Sequence, residues 1–172
     1  MSDERVVRTS GSTGVRIDAI LTTVLLAELM TPSRRLWLVS PWIGDVDVID
    51  NRAAAYDSVF VDPSSRVYTF AEVLAGITHG GGQLSVVTRP DAFNDVFVDR
   101  LLRQTAPGHA QVVRAEDVHE KTMCGDNWLM TGSMNFTYRG MRVNDEIVSY
   151  RIDPAAAGTA RVDFARRFEK SN

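Results

Sequence analysis

A histidine, a lysine, a serine and an asparagine fall within one short stretch, residues 119–146. His119 and Lys121 are two positions apart, so on a strand they would point to the same face. A nucleophile or proton carrier would then stand beside a fixed positive charge. Ser133 and Asn135 could bring a hydroxyl and an amide to the same point. These residues together predict an anion site that contains a nucleophile.

A β-hairpin is the element that could gather these side chains. Gly125-Asp126 has the composition of a two-residue hairpin loop. The chain would return through residues 127–131 as a second strand. That return would bring the small-residue turn at 132–135 next to the beginning of the first strand.

The order of these residues resembles the signature of the phospholipase D superfamily, which reads His-x-Lys, four residues, Asp, then Gly-Ser-x-Asn. The positions that fill it are His119, Lys121, Asp126, Gly132, Ser133 and Asn135. Phe136 and Thr137 resemble residues that often follow in the family's bacterial nucleases, and Glu146 stands where those nucleases carry an acid that orients the histidine. Five residues separate Asp126 from Gly132, where the family usually has six, and we interpret this as a shortened turn.

The resemblance implies a covalent mechanism. In the family, one histidine attacks phosphorus to form a phosphohistidine, and a second protonates the leaving oxygen and then activates water. His119 would be the nucleophile, Lys121 and Asn135 would bind phosphate with support from Ser133, and Glu146 would fix the tautomer of His119. No metal or other cofactor is expected, because side chains supply the positive charge.

Other residues near the motif have less specific interpretations. Asp126 is expected to be structural and to bond the turn, and Gly132 belongs to the structural motif. Arg139 and Arg142 could bind flanking phosphates, or they could be ordinary surface charge. Cys124 is expected to be a small, partly buried residue and not a nucleophile.

The single motif predicts a homodimer. The mechanism needs two histidines, but His79 and His109 lack the accompanying lysine and asparagine. We therefore expect a twofold axis that brings His119 of each chain to opposite sides of one phosphate. The family's single-motif bacterial nucleases are arranged in this way.

Composition indicates one globular domain. The chain has 172 residues, of which 44% are hydrophobic, and a net charge of −3 that gives no broad basic signal. We expect residues 1–14 to be a flexible lead-in and 15–172 to form the domain. One cysteine and the lack of a long apolar run favour a cytoplasmic protein that does not enter the membrane.

Helical and strand patterns alternate along the chain, which predicts an α/β fold with a mixed, mostly parallel sheet and helices on both faces. This agrees with the phospholipase D-like fold that the motif implies. The first helix, near residues 17–29, could cover the sheet or pair with a second copy of the chain. Residues 43–68 are expected to form a solvated loop with a small strand near 58–61. Their aspartates could also be interpreted as a metal site, but no histidine or spaced glycine supports one.

Three functions remain open at this point. The first is a metal-independent nuclease, which the small size and the motif favour. The second is hydrolysis or transfer of phospholipid head groups. The third is a non-catalytic or partner-activated nucleic-acid-binding subunit of a larger complex, which the acidic net charge favours slightly over a free-standing nuclease. The Ser40-Pro41-Trp42-Ile43 run and the compact single motif also resemble phospholipase D-like proteins of bacterial DNA-modification and defence gene clusters. The sequence does not distinguish DNA from RNA or single strands from double strands.

Overall fold

The computed structural model describes residues 3–9 and 17–169. The strands are β1 (Asp3–Arg8), β2 (Arg35–Val39), β3 (Asp47–Asp50), β4 (Val67–Thr69), β5 (Gln83–Thr88), β6 (Ala110–Arg114), β7 (Thr122–Cys124), β8 (Trp128–Gly132) and β9 (Ile147–Ile152). The helices are α1 (Asp18–Met30), α2 (Phe70–His79), α3 (Ala92–Gln104), α4 (Tyr138–Arg142) and α5 (Pro154–Phe168), with a 3-10 turn at Asp57–Val59.

Seven strands form the main sheet in the order β1-β9-β8-β7-β2-β5-β6. The pairs β2–β5 and β5–β6 are parallel, and the other four pairs are antiparallel. As a result, five strands run in one direction, and only β7 and β9 run in the other. The mixed α/β sheet is therefore confirmed. Most of its strands run in the same direction, as a mostly parallel sheet would have them. Most neighbouring strands are nevertheless antiparallel, because the β7–β8–β9 meander alternates in direction.

Helices cover both faces of this sheet, as the alternating pattern predicts. Side chains of β2 show the division: Leu36 and Leu38 point to one face, and Trp37 and Val39 point to the other. Helices α1, α2 and α3 pack on the first face, and α5 packs on the second through Phe164. The first helix thus covers the sheet, which is one of the two roles expected from its amphipathic pattern.

Two stretches differ from their sequence-based predictions. Residues 3–8 are the edge strand β1, paired antiparallel with β9, and are not part of a flexible lead-in. Strand β8 pairs with only one side of β9, and β1 supplies hydrogen-bond partners to the backbone N–H and C=O groups on the other side. The remainder of the predicted lead-in, apart from Thr9, lies outside the described residues.

The segment 43–68 contains two paired strands, β3 and β4, and a 3-10 turn where a strand was expected. Its acidic residues bond to nearby side chains. Asp45 pairs with Arg100, Asp50 with Arg52, and Asp57 accepts from Asn51. These bonds support the loop interpretation of the aspartates over a metal site.

A buried carboxylate fixes the β7–β8 turn. Glu28 of α1 is 4% exposed and accepts hydrogen bonds from Ser33 N (2.8 Å), Ser33 Oγ (2.8 Å) and Trp128 Nε1 (2.7 Å). A Cβ on Gly125 would lie 2.8 Å from Glu28 Oε1 and 2.5 Å from Trp128 Nε1, so only glycine fits there. The turn spans Gly125–Asn127, one residue longer than expected, and Gly125 N donates to Trp128 O at 3.2 Å.

None of the described helices is both long and apolar enough to cross a bilayer.

Candidate active site

The predicted site residues lie at one edge of the sheet because of the strand directions. The carboxyl ends of β2, β5 and β8 and the amino ends of β7 and β9 share that edge. His119 and Lys121 precede β7, Ser133 and Asn135 follow β8, and Glu146 precedes β9. Two backbone bonds hold the ends together, Gly132 N to Lys121 O (3.2 Å) and Ser133 N to Ile147 O (2.9 Å).

His119 and Lys121 lie just before the strand and not on it. Strand β7 begins at Thr122, whose partner Val39 is the last residue of β2, so no partner strand continues beyond that point. The His119 side chain is exposed. Lys121 Nζ donates to the backbone oxygen of His119 at 2.6 Å, which keeps the ammonium beside the histidine. The predicted adjacency is present, but a backbone contact produces it instead of strand alternation.

Ser133 is the centre of a small hydrogen-bonded group. Its Oγ donates to the carboxylate of Glu146 and accepts from Ile147 N at 3.0 Å. Asn144 Nδ2 donates to the other oxygen of Glu146 at 3.3 Å. Within one chain, then, Glu146 bonds to Ser133 and Asn144 and not to His119. Its predicted hydrogen bond to the histidine is wrong for the single chain, because the carboxylate lies over β8 and β9.

Asn135 lies on the opposite side of the edge, near the end of β2. Its Oδ1 accepts from Ser40 Oγ at 3.5 Å, a long bond, and Ser40 Oγ also lies 3.0 Å from Trp42 O. Helix α4 packs directly on this residue, since a Cβ on Gly140 would lie 2.2 Å from Asn135 O. The backbone of Asn135 is therefore fixed by α4, and the Nδ2 donors of its side chain have no partner among the described residues.

Arg89 is a site residue that the sequence analysis missed. Its Nη2 lies 3.2 Å from both ring nitrogens of His119, and its Nε donates to Val118 O at 3.1 Å. Within the described part of the chain, neither Arg89 nor Lys121 pairs with a carboxylate. Two cations without a counter-ion therefore flank one exposed imidazole. The available signal was position: Arg89 follows β5 directly and precedes Pro90 at this same edge.

The two arginines after the motif differ in their surroundings. Arg142 lies 3.6 Å from Asp18 and donates to Asp47 O at 3.2 Å, so its guanidinium is turned towards α1 and β3. Arg139 is exposed. Of the two, only Arg139 keeps its charge available for a flanking phosphate.

The motif positions Asp126 and Gly132 have structural surroundings. Asp126 accepts from Arg34 N at 2.8 Å and pairs with Arg161, so it joins the β7–β8 turn to β2 and α5. A Cβ on Gly132 would lie 2.0 Å from Ile147 O, because β9 passes very close to the end of β8. Both residues shape the site without facing a substrate.

Cys124 is buried beside the site, with none of its surface exposed. Burial raises the pKa of its thiol to about 12, so the thiolate that a nucleophile requires is suppressed. This agrees with its interpretation as a packing residue. No group of three or more His, Cys, Asp or Glu side chains in the described ranges is arranged to hold a metal ion.

Comparisons with known proteins concern the family and the fold of this chain. A family model described as cardiolipin synthase, PLD-like domain, matches residues 59–168. A comparison with curated proteins finds no match. NucT from Helicobacter pylori superposes with a TM-score of 0.66 at 9% identity, covering 96% of this chain and 95% of NucT.

Two further solved structures share the fold. Nuc from Salmonella typhimurium, a phospholipase D family member, has a TM-score of 0.65 at 11% identity, covering 97% of this chain and 94% of Nuc. Polyphosphate kinase from Porphyromonas gingivalis has a TM-score of 0.64 at 13% identity, covering 95% of this chain and 25% of the kinase. The family model spans more than half of the chain and contains the whole motif, so this chain belongs to the phospholipase D superfamily.

Proposed function

We propose that the protein is a metal-independent phosphodiesterase acting on nucleic acid, with its active site completed at a homodimer interface. The observation that carries this proposal is the exposed His119 flanked by Arg89 and Lys121, neither of which pairs with a carboxylate of residues 3–9 or 17–169. Such an arrangement suits a phosphodiester, because the cations attract the anion and compensate the charge that grows on its oxygens. Membership of a superfamily of phosphodiesterases agrees with this chemistry.

The reaction has two steps. In the first, a ring nitrogen of His119 forms a bond to phosphorus, the bond to the leaving oxygen breaks, and that oxygen takes a proton from His119 of the partner subunit. In the second, the partner's His119 removes a proton from water, the resulting hydroxide attacks phosphorus, and the bond to the histidine breaks. Lys121, Arg89 and Asn135 stabilise the non-bridging oxygens throughout.

Ser133 and Glu146 act as positioning residues in this proposal. The Ser133 hydroxyl donates to Glu146, which orients its oxygen to accept the hydrogen bond from Ile147 N. These two bonds hold Ser133 in place and with it the turn that leads to Asn135. Arg139, and not Arg142, would contact a phosphate further along the substrate.

The dimer is proposed on two grounds. The motif supplies one histidine where the mechanism uses two, and that histidine is exposed, so a second copy can approach it. Three large apolar side chains on α4, its connection to β9 and the first residue of β9 are exposed: Tyr138 (61%), Val143 (49%) and Ile147 (37%). Exposed apolar groups beside the site are what a twofold interface around His119 would cover.

Phospholipid is the second candidate substrate, because the matching family model is described by the name of cardiolipin synthase. A partner-activated binding subunit is the third possibility. The purified protein should be incubated in EDTA with single-stranded DNA, double-stranded DNA, RNA and anionic phospholipid vesicles, beside a His119→Ala control. We expect cleavage of nucleic acid by the unsubstituted chain alone. Turnover of lipid only, or binding without turnover, would contradict the nuclease proposal.

A further inference from the structure

A half-buried aromatic pair stands beside the proposed phosphate site. Trp42 follows β2, and Phe93 opens α3; their rings meet edge to face, with centroids 6.1 Å apart and an interplanar angle of 78°. Phe93 is 51% exposed although α3 buries other large side chains, such as Phe97, completely. Val96 and Leu102 of the same helix are exposed as well. A core role therefore does not account for Phe93.

Arg89 connects this pair to His119. Its guanidinium carbon lies 6.0 Å from the centre of the Trp42 ring, and its Nη2 lies 3.2 Å from the His119 ring nitrogens. One cation thus touches the predicted nucleophile on one side and faces an indole on the other. A nucleotide could bind along this line. Its phosphate would lie at His119 and Arg89, and its base, joined to the phosphate through the sugar, would reach the aromatic ring of Trp42.

A buried amide holds the aromatic pair and the arginine in fixed positions. Asn94 is fully buried, its Oδ1 accepts from Ile43 N (2.9 Å), and its Nδ2 donates to Pro41 O (2.9 Å) and Arg89 O (3.0 Å). The loop carrying Trp42 and the loop carrying Arg89 are therefore bonded to one side chain of α3. This rigidity reduces the entropy that binding a ligand there would cost.

Charge at this place also favours a nucleotide. Arg114 pairs with Asp95 at 2.6 Å, whereas Arg89, next to the aromatic rings, has no carboxylate partner in the part of the chain that the structure describes. An aromatic surface next to an unpaired cation is the arrangement by which proteins bind unpaired bases and their backbone phosphates. A base inside a duplex is stacked on both faces and cannot lie on these rings.

We propose that Trp42, Phe93 and Arg89 form a stacking subsite for one unpaired base adjacent to the scissile phosphodiester, so that the substrate is single-stranded nucleic acid. This inference rests on the proposed function of the same site. It adds the strandedness of the substrate and the residues that select it.

Binding by a His119→Ala variant tests the subsite without turnover. The probes are a thymidine oligonucleotide, an abasic oligonucleotide of equal length, and a duplex. Trp37 and Trp128 are 1% and 8% exposed, so quenching of tryptophan fluorescence reports mainly on Trp42. We expect quenching by the thymidine oligonucleotide and binding roughly 5- to 150-fold tighter than that of the abasic one. The duplex should bind more weakly than the single strand.

Substitutions in the His119→Ala background identify the residues responsible. Adding Trp42→Ala should abolish the preference for base-bearing over abasic oligonucleotide, and adding Trp42→Phe should restore part of it, which a mere folding defect would not do. Val96→Ala removes another exposed apolar side chain of α3, 64% exposed, and serves as the matched control that keeps the preference. Equal binding of abasic and thymidine oligonucleotides, or a preference that survives Trp42→Ala, would overturn the subsite. Because these measurements need no cleavage, they stay decisive if the protein proves to have no nuclease activity.

Discussion

At the scale of single residues, the site is defined by two cations that differ in how they are held. Lys121 is bonded to the backbone of His119, whereas Arg89 is anchored by its Nε to Val118 O and directs its Nη2 towards the ring. A guanidinium fixed at one end is pre-organised, so it stabilises developing charge with little reorganisation. Arg89 should therefore contribute to catalysis and not only to substrate affinity.

Replacing Arg89 by alanine tests this expectation. We expect kcat on single-stranded DNA to fall by roughly 10²- to 10³-fold, the usual cost of losing one charge-stabilising donor. Arg89→Lys should recover only part, since an ammonium lacks the fork that contacts Val118 O and the ring together. Arg103→Ala removes an exposed guanidinium of α3 and is the matched control. A rise in KM with kcat unchanged would show that Arg89 contributes only to ground-state binding.

Cys124 gives a second prediction at this scale, and it concerns pH. Because burial raises the pKa of the thiol to about 12, the folded protein should hold a neutral, enclosed thiol at pH 8. A thiol reagent such as dithionitrobenzoate should therefore label the native chain very slowly and the urea-unfolded chain at once. Cys124→Ala should leave DNA cleavage intact, and rapid labelling of the native protein would contradict the enclosed position.

At the scale of elements, the β7–β8 turn positions the motif by contacts with the first half of the chain. Glu28 of α1 accepts from Ser33 and Trp128, and Ser33 Oγ also accepts from Asp126 N at 2.9 Å. The turn that begins β8 is thus bonded to α1 and to the residues before β2. This attachment fixes the register of β8 against its neighbouring strands. It therefore also fixes the positions of Ser133 and Asn135, which follow the other end of β8.

Trp128→Phe should destabilise the fold although it keeps the aromatic ring. The substitution removes the Nε1 donor and leaves a buried carboxylate oxygen of Glu28 with one partner fewer, which costs about 1–3 kcal/mol. Urea unfolding measures this change. In a Glu28→Gln background the cost of Trp128→Phe should be smaller, because the acceptor is no longer charged, and equal costs in the two backgrounds would show that the bond contributes nothing specific.

Local patterns predicted most elements and the motif, whereas contacts between distant residues were beyond the sequence. Two helix caps join residues that are close in the sequence, so a local pattern can indicate them. Thr69 N donates to Glu72 Oε2 (2.8 Å) three residues away, and Phe93 N donates to Asp91 Oδ1 (2.8 Å) two residues away. Arg89 meets His119 across 30 positions, and Asn94 meets Pro41 across 53. No periodicity or spacing reports on such pairs, since they arise only when strand order brings β2, β5 and β7 together.

Edge strands and small sheets escaped prediction for a related reason. In β1, apolar and charged residues do not alternate, and its pairing depends on distant partners: the open side of β9, the core that Val7 packs against, and Ser149, which donates to Glu4. The sequence pattern also does not show which apolar residues of α3 face solvent, because an apolar residue at a helical period can be exposed where a ligand or partner surface lies. Phe93 is the case in point, and the stacking subsite accounts for its position.

At the scale of the whole molecule, the single chain contains half of the proposed machinery. The strand directions collect His119, Lys121, Ser133, Asn135 and Glu146 at one edge, yet the general acid that protonates the leaving oxygen is not among them. Exposed apolar side chains, Tyr138, Val143 and Ile147, form a rim beside that edge, on α4 and at the start of β9. A twofold axis through it would supply the second histidine and bury the rim at once.

If the two subunits of a dimer share one active site, the activity of a mixed dimer differs from that expected for one active site in each subunit. If one phosphate lies between His119 of each chain, a dimer with one His119→Ala subunit has lost either its nucleophile or its acid and should be inactive. Wild-type and His119→Ala chains should be mixed in equal amounts and allowed to exchange subunits after dilution. The mixture should then have about one quarter of the activity of the same total amount of wild-type protein, because about one quarter of the dimers contain two intact histidines. Independent sites would retain about one half of the activity by the same statistics. Light scattering at micromolar concentration provides the companion measurement, because a chain that stays monomeric there while cleaving DNA would need a general acid other than a second His119.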